Sequence, residues 1–153
     1  MNFKENESED KLRGGYYTPP DIARFLSRWV LHAKPASLLE PSCGDGVFVR
    51  ALEGLQIADL AVTAVERLAG EATKARKAAT LLNVRSAQIF NADFLEWSQK
   101  QLNSGATFDS ITGNPPYIRY QYLGEEDQKL SEQLFERFSL AFTKHTKIGR
   151  AHV

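Results

Sequence analysis

The amino-acid sequence predicts an α/β fold with a mostly parallel sheet and helices on both of its faces. Short apolar segments alternate along the chain with segments of helical periodicity, and that alternation is typical of a parallel sheet. Turn-forming residues follow three of the apolar segments, at the end of a strand where α/β folds bind their ligands. The chain has 153 residues, about the length of one domain.

Composition and charge exclude several classes of protein. The 19 basic residues balance 19 acidic ones, and 42% of all residues are hydrophobic, as in ordinary soluble domains. No segment reaches the roughly 20 apolar residues of a membrane span, and the charged residues 1–15 do not resemble a signal peptide. One cysteine excludes an internal disulfide framework. Zero net charge argues against a small basic protein that coats nucleic acid, but it permits an enzyme with a local basic surface.

The first structured element is predicted to be a helix that follows a flexible leader. Residues 1–15 are polar, carry seven charges after the first residue and end in two glycines, which predicts little fixed structure. Thr18 is the expected N-cap, Pro19 the first helical residue and Asp21 the partner in a capping box. The apolar face of this helix is predicted to contain Ile22, Phe25, Leu26, Trp29 and Val30.

Strands and helices then alternate to the end of the chain. Strands are predicted at 37–40, 60–66, 87–90 and 108–112, because these segments are short and apolar and end in turn residues. Helices are predicted at 47–55, 69–82 and 128–146, and residues 99–107 are expected to form a polar loop. The inner face of the last helix is predicted to consist of Leu130, Leu134, Phe135, Phe138, Ala141 and Phe142.

The last six residues are interpreted as a non-native tail. Residues 148–153 can be encoded by ATC GGA AGA GCA CAC GTC, which is the start of a common sequencing adapter. We therefore expect the natural chain to continue beyond Lys147, and the alternative is a natural polar tail.

A glycine turn between the first strand and the next helix is the first candidate ligand site. Such a layout holds nucleotide-like ligands, and Gly44 and Gly46 permit close approach of the backbone. Position 49 is valine instead of the third glycine of the dinucleotide fingerprint, which weakens an NAD interpretation. Glu40 adds an anion where a pyrophosphate would bind, so a ligand with a cationic end is favoured. The alternative is an ordinary strand–helix turn.

Two further candidate sites follow the second and third strands. Glu66 ends the second strand, and a carboxylate there can accept hydrogen bonds from a ribose diol; the alternative is a solvated acid. Asp93 can accept a hydrogen bond from an adenine amino group, and Phe94 can stack on its ring. The alternative for Phe94 is packing in the core.

The sequence Asn114-Pro115-Pro116-Tyr117 after the fourth strand is the sharpest signal. The two prolines hold the backbone rigid, so the Asn114 side-chain oxygen and the Pro115 carbonyl can point at one amino group. Two such acceptors draw a conjugated nitrogen toward pyramidal geometry, which frees its lone pair to attack a methyl sulfonium. Catalysis of this kind depends on positioning and electrostatics. Tyr117 supplies a ring for stacking, and the alternative is a rigid turn.

With these motifs in this order, the chain resembles the S-adenosylmethionine-dependent N6-adenine DNA methyltransferases of restriction–modification systems. The resemblance implies a Rossmann-like class I methyltransferase fold that is incomplete at the C-terminus, with a partial cofactor-binding catalytic domain over 16–147. It implies that Asn114 and Pro115 hold the target amine, supported by Pro116, while Tyr117 stacks on an adenine flipped out of the duplex. The cofactor-binding residues that it implies are Thr18, Glu40, Pro41, Ser42, Gly44, Gly46, Glu66, Asp93, Phe94 and Asn114.

The resemblance also sets expectations for partners. Double-stranded DNA is the expected substrate of the full-length protein. The resemblance implies a location in the cytoplasm of a bacterium or archaeon. It also implies a restriction or specificity subunit, or a fused nuclease, as a partner. No membrane or metal partner is expected, and Cys43 is interpreted as a small lining residue. Arg119 and Tyr120 are further candidates for contact with nucleic acid.

Two other functions stay open at this point. One is N-methylation of a protein glutamine or an RNA base. The other is not an enzyme: an inactive cofactor-binding fragment, or a partner-binding domain with an inherited pocket. The segment from Tyr16 to Pro19, directly before the cofactor loop, favours the DNA enzymes over the glutamine-modifying ones.

Overall fold

Helices and strands alternate through residues 18–143 and 147–149, which are the residues described by the computed structural model. The helices are α1 (Pro20–Leu31), α2 (Val47–Ala51), α3 (Ala69–Ala79), α4 (Phe94–Asn103) and α5 (Glu125–Arg137), with a 3-10 helix at Tyr120–Tyr122. The strands are β1 (Ser37–Glu40), β2 (Ile57–Glu66), β3 (Val84–Asn91), β4 (Ser110–Ile111), β5 (Tyr117–Arg119) and β6 (Lys147–Gly149). The expected leader lies outside the described residues.

A four-stranded parallel sheet in the order β3-β2-β1-β4 forms the centre of the fold. Glu40 pairs with Ala64, and Leu39 pairs with Ile111, so the carboxyl ends of β1, β2 and β4 meet at one edge. The predicted α/β class with a parallel sheet is therefore confirmed. No helix among the described residues is long and apolar enough to cross a bilayer.

Helices cover both faces of the sheet. Consecutive residues of a strand point to opposite faces, so each strand packs against both layers of helices. On one face, Ala64 packs with Val49 of α2 and Ala75 of α3. On the other, Leu39 and Val65 pack with Trp97 of α4. Burying each large apolar side chain contributes roughly 1.5–3 kcal/mol, so both helical layers hold the sheet in place.

Helix α1 differs from its prediction in both its start and its buried face. Pro19 is the N-cap and no side chain caps the helix, so the predicted capping role of Thr18 is wrong. Ala23 is buried against Phe48 and Ala51, whereas Phe25 and Trp29 are 67% and 72% exposed. A small residue permits α2 to approach closely, so the buried residues are Ala23 and Ser27. Leu26 and Val30 of the predicted face still pack against the core.

Helix α4 corrects the predicted polar loop at 99–107. Asp93 is its N-cap, and Asp93 Oδ1 accepts hydrogen bonds from Leu95 N at 2.9 Å and Glu96 N at 3.4 Å. Leu95 and Trp97 are both buried. An acidic cap followed by buried apolar side chains starts the helix, whose polar remainder faces outward.

The other helices are shorter than predicted, and the two longest strands are longer. Helix α5 ends at Arg137, well before the predicted end of the last helix, and Ser139 has a left-handed backbone with φ of 53°. Phe138 and Leu140 are exposed, so the inner face predicted for this segment does not continue through them. Phe142 instead packs edge-on against Tyr120, with ring centroids 5.0 Å apart.

A separate antiparallel pair joins β5 to β6, with Tyr117 opposite Gly149 and Arg119 opposite Lys147. Two residues of the predicted non-native tail, Ile148 and Gly149, therefore lie in β6. Residues 150–153 lie outside the described residues, and the origin of the tail stays a prediction.

Candidate active site

A small cavity at the carboxyl ends of β1 and β4 brings together residues from three predicted motifs. It has a volume of about 50 Å³, which is room for about three or four groups the size of a water molecule. We call it the Glu40 cavity. Its lining residues are Thr18, Glu40, Ser42, Cys43, Gly44, Asp45, Val47, Phe48 and Asn114. A larger open groove of about 400 Å³ between α3 and β3 contains none of the predicted site residues.

Glu40 is the buried acid of this cavity. It is the last residue of β1, is only 3% exposed, and its Oε1 atom has no hydrogen-bond partner among the described residues. Burial raises the pKa of Glu40 to about 8, and the negative charges of Asp45 and Glu66 add to this effect against the opposing charge of Arg50. At neutral pH the carboxyl group is therefore mainly protonated.

The glycine turn after β1 depends on two residues with left-handed backbones. Gly44 has φ of +51° and Gly46 has φ of +89°, which glycine adopts at no steric cost. A Cβ atom on Gly46 would lie 2.8 Å from the Cα atom of Ala75. Gly46 therefore permits α2 to begin directly against α3, while Gly44 faces the cavity.

Glu66 supports this turn from the neighbouring strand. It is completely buried, so the alternative interpretation as a solvated acid is wrong. Glu66 Oε2 accepts a hydrogen bond from Gly44 N at 2.9 Å, and Oε1 accepts one from Leu68 N at 2.7 Å. Its predicted contact with a ribose stays a prediction.

Asp93 and Phe94 lie outside the Glu40 cavity, at the end of β3. Asp93 Oδ1 caps α4, and its Oδ2 lies 3.8 Å from Arg67 Nη1. The ring of Phe94 stacks on Trp97, with centroids 5.9 Å apart. Phe94 thus packs against the core, as its alternative interpretation expects. The predicted adenine contacts of both residues remain untested.

Asn114 joins the predicted catalytic motif to the start of α1. Its Nδ2 donates a hydrogen bond to Thr18 Oγ1 at 3.2 Å, across 96 positions of sequence. This bond uses the amide nitrogen, so the side-chain oxygen is the acceptor that Asn114 can present to an amine. Pro116 is buried, and the position of the Tyr117 side chain lies outside the described part of the structure.

Pro41 and Pro115 lie on the outer side of this site. They line a groove of about 290 Å³ with Trp29, Ile111 and other residues of α1 and β4. Ile111 is 62% exposed, and among the described strands β4 pairs only with β1. The edge of the sheet beside the catalytic motif is therefore apolar and open.

The segment after the catalytic motif is anchored by residues that the sequence prediction missed. Gln128 Nε2 donates to the carbonyl oxygens of Tyr120 and Leu123, at 3.2 Å and 3.0 Å. The Tyr120 hydroxyl donates to Glu132, and this bond raises the pKa of Tyr120. Because Tyr120 is buried, its predicted contact with nucleic acid is wrong for this conformation.

Asp109 is a further residue that the prediction missed, at the opposite end of the sheet. Asp109 Oδ2 accepts hydrogen bonds from Ala36 N, Ser37 N and Ser37 Oγ at 2.9–3.1 Å. These bonds lower the pKa of Asp109, with the Ser37 side chain contributing most. They hold the starts of β1 and β4 in register and so place Asn114 beside Glu40.

Cys43 is a lining residue of the cavity, as predicted. It is 2% exposed, and burial raises the pKa of its thiol above the ordinary value. The thiol therefore stays protonated and is a poor nucleophile. Among the described residues, no group of three or more His, Cys, Asp or Glu side chains is placed to hold a metal ion.

These features define an α/β domain with its glycine turn and its Asn-Pro-Pro-Tyr loop at the carboxyl edge of a parallel sheet. The family described as N-6 DNA Methylase matches residues 2–149. The chain belongs to this family.

Individual relatives support the same assignment. The chain is 30% identical over 124 residues to Type II methyltransferase M.HincII of Haemophilus influenzae. The aligned residues are 81% of this chain and 21% of that protein. It is 33% identical over 119 residues to Modification methylase CviBIII of Paramecium bursaria Chlorella virus NC1A, which covers 75% and 28%. The chain thus spans between a fifth and a third of the length of these relatives.

A solved structure shares the fold. A modification subunit of a putative type I restriction enzyme from Vibrio vulnificus YJ016 superposes with a TM-score of 0.52 at 19% sequence identity. The match covers 80% of this chain and 30% of that one. This similarity agrees with the Rossmann-like methyltransferase fold that the sequence predicts.

Proposed function

We propose that the full-length protein transfers a methyl group from S-adenosylmethionine to the N6 amino group of an adenine in DNA, within a restriction–modification system. The observation that carries this proposal is the meeting of Asn114, Thr18 and Glu40 in one cavity at the carboxyl edge of the sheet. Membership of the N-6 DNA Methylase family supports DNA as the substrate class.

The residues of the Glu40 cavity fit the amino-acid end of the proposed cofactor. Glu40 Oε1 is a buried acceptor without a partner among the described residues, and an ammonium group is a suitable donor for it. A Cβ atom on Gly44 would meet nothing within 4 Å, so there is open space beside the turn. When bound, S-adenosylmethionine supplies a methyl group that is activated on a sulfonium.

Each residue set then has a proposed task. Thr18, Glu40, Ser42 and Gly44 would hold the amino-acid end of the cofactor, with Pro41 and Gly46 shaping the turn. Glu66 would bind the ribose, and Asp93 with Phe94 would bind the adenine of the cofactor. The last three residues are packed against protein in this structure, so these assignments rest on the resemblance to the family.

Asn114 would act on the target base through its side-chain oxygen. The hydrogen bond from Asn114 Nδ2 to Thr18 Oγ1 orients the amide, so the oxygen and the Pro115 carbonyl are the acceptors offered to the amine. Both accept hydrogen bonds from the nitrogen and make its lone pair available, without a covalent intermediate. Tyr117 would stack on the flipped base, which repays part of the cost of unstacking it.

The DNA-reading part of the proposed enzyme would lie mainly outside these 153 residues. The chain has no net charge, whereas DNA contact requires basic residues that neutralise phosphates. The open apolar edge at Ile111 and Trp29 supports the idea that further protein covers this side. A restriction or specificity subunit, or a fused nuclease, is proposed as partner on the family resemblance.

The test of this function uses the full-length gene. Expression in a host without adenine methylation should leave N6-methyladenine in its DNA, measured by mass spectrometry of digested nucleosides. Asn114→Ala should abolish the modification, and Asn83→Ala, at an exposed position before β3, should keep it. Unmodified DNA from soluble full-length protein, with methylated glutamine or RNA instead, would overturn the proposal in favour of the alternative substrates.

A second proposal concerns the 153-residue chain by itself. Because it spans only about a fifth of M.HincII and has an open sheet edge, it is expected to bind cofactor without methylating DNA. Methylation of duplex DNA by this chain alone would contradict that expectation.

A further inference from the structure

Glu40 has surroundings that disfavour its charged form in the absence of a ligand. The groups that act on it are Asp45 and Glu66, which are acidic, and Arg50, which is basic. Arg50 is already engaged, since its Nη2 lies 2.7 Å from Asp45 Oδ2 and its Nη1 donates to the Asp45 carbonyl. On the β4 side, a Cβ atom on Gly113 would lie 3.6 Å from Glu40 Cγ, so the backbone there packs closely over the acid.

One oxygen atom of the buried Glu40 carboxyl group has no structural partner among the described residues. Glu40 Oε1 has no hydrogen-bond partner among the described residues, although a buried polar atom without a partner costs about 1–3 kcal/mol. Glu66, in contrast, uses both of its oxygens to hold backbone N–H groups. Glu40 therefore lines the cavity and has a buried acceptor atom without a partner among the described residues.

We propose that the cofactor site exchanges cations, so that Glu40 is a neutral acid in the empty site and loses its proton when the ammonium group of S-adenosylmethionine enters. The inference rests on the proposed function of the cavity. The O–H bond of Glu40 breaks and its proton passes to water, while the new carboxylate pairs with the incoming ammonium. One positive charge leaves and one arrives, so the buried site keeps the same net charge.

The size of the effect follows from the pKa of Glu40. With a pKa of about 8, nearly all Glu40 side chains carry the proton at about pH 6.5. An ammonium in contact lowers the pKa of a carboxyl group below that range. Binding is then expected to release about 0.9 proton per cofactor, after allowance for the small fraction of cofactor that binds as the free amine.

The affinity for S-adenosylmethionine is expected to depend on pH for the same reason. Below about pH 8 each pH unit of acidification should weaken binding about tenfold, because the proton competes with the ammonium. Above that range the affinity should stop rising, since the ligand amine itself loses its charge.

Isothermal titration calorimetry of the 153-residue chain tests the inference. S-adenosylmethionine is titrated at about pH 6.5 in buffers with different ionisation enthalpies, and the slope of observed heat against buffer enthalpy counts the released protons. The comparison ligand is 5′-methylthioadenosine, which has the nucleoside but no ammonium, and it should release none. Glu40→Gln should bind S-adenosylmethionine about tenfold more weakly near pH 8 and release no proton, whereas the exposed Glu53→Gln should behave as the native chain.

The outcomes separate the inference from the proposed function. Binding of both ligands without proton release by the native chain overturns the exchange and leaves the cofactor assignment intact. Failure of the folded chain to bind either ligand overturns the cofactor assignment and the exchange with it. The native chain decides the question through its own pH dependence, so the result stands even where Glu40→Gln folds poorly.

Discussion

Replacement of Glu40 by glutamine is expected to change the pH dependence of folding stability. The native carboxyl group is buried and its pKa is raised from 4.5 to about 8. Between these values the folded protein keeps a proton that the unfolded chain releases. The free energy of unfolding therefore falls as pH rises through this range, and it is highest, for this group, on the acidic side.

The magnitude is large for a single side chain. Each pH unit in this range costs about 1.4 kcal/mol, so the native chain loses up to about 5 kcal/mol between the two pKa values as an upper limit. Domains of this size have total stabilities of about 5–15 kcal/mol. The amide in Glu40→Gln does not titrate, so the stability of the variant relative to the native chain should rise by up to this amount toward pH 8.

Urea denaturation at several pH values from about 5 to about 8 measures this difference. The matched control is Glu53→Gln, because Glu53 is exposed and its replacement should leave the pH profile of the native chain unchanged. Parallel profiles for the native chain and Glu40→Gln would refute the reasoning, because they would show that Glu40 ionises normally.

Three further perturbations test other parts of the structure. Gly46→Ala places a methyl group 2.8 Å from Ala75 Cα and should lower the free energy of unfolding by about 1–3 kcal/mol in urea denaturation. The control Gly70→Ala has open space around it and should be neutral or stabilising. Equal effects of the two substitutions would contradict the close packing of α2 on α3. Asp109→Ala should lower the melting temperature at neutral pH more than the exposed Asp59→Ala does. Because hydrogen bonds lower the pKa of Asp109, this difference should shrink as acid protonates the native carboxylate. A constant difference would argue against the role of Asp109 in holding the starts of β1 and β4. Trp29 is 72% exposed and Trp97 is 7% exposed. Acrylamide should therefore quench the fluorescence of Trp97→Phe, which retains Trp29, strongly and that of Trp29→Phe, which retains Trp97, weakly. A reversed order would show that α1 packs on its other face.

The four strands of the parallel sheet were predictable because their signals are local, whereas β5 and β6 were not predicted. Strand β1 has the bounds that its short apolar run predicts, and the turn after it contains the two glycines that its backbone requires. Helix α4 was missed because its second half is polar and resembles a loop. Asp93 as a cap and the buried pair Leu95 and Trp97 are the signals that could have found it.

The motifs predicted that several candidate residues lie close together, but not the contacts that each of them makes. Thr18, Glu40, Ser42, Gly44 and Asn114 line one cavity, as expected for motifs that follow parallel strands. Other predicted residues have structural contacts that no motif reveals: Glu66 holds Gly44 N, and Phe94 packs on Trp97. Such contacts depend on residues from other elements.

The sequence by itself determined the α/β class, the four strands of the parallel sheet and the identity of the four motifs, because periodicity, turn chemistry and residue type act over short distances. Only the tertiary structure decided which residues of α1 are buried, that Thr18 bonds to Asn114 rather than capping a helix, and that burial raises the pKa of Glu40. These properties depend on packing partners and charges brought together from distant positions, as the 96-residue separation of Thr18 and Asn114 shows.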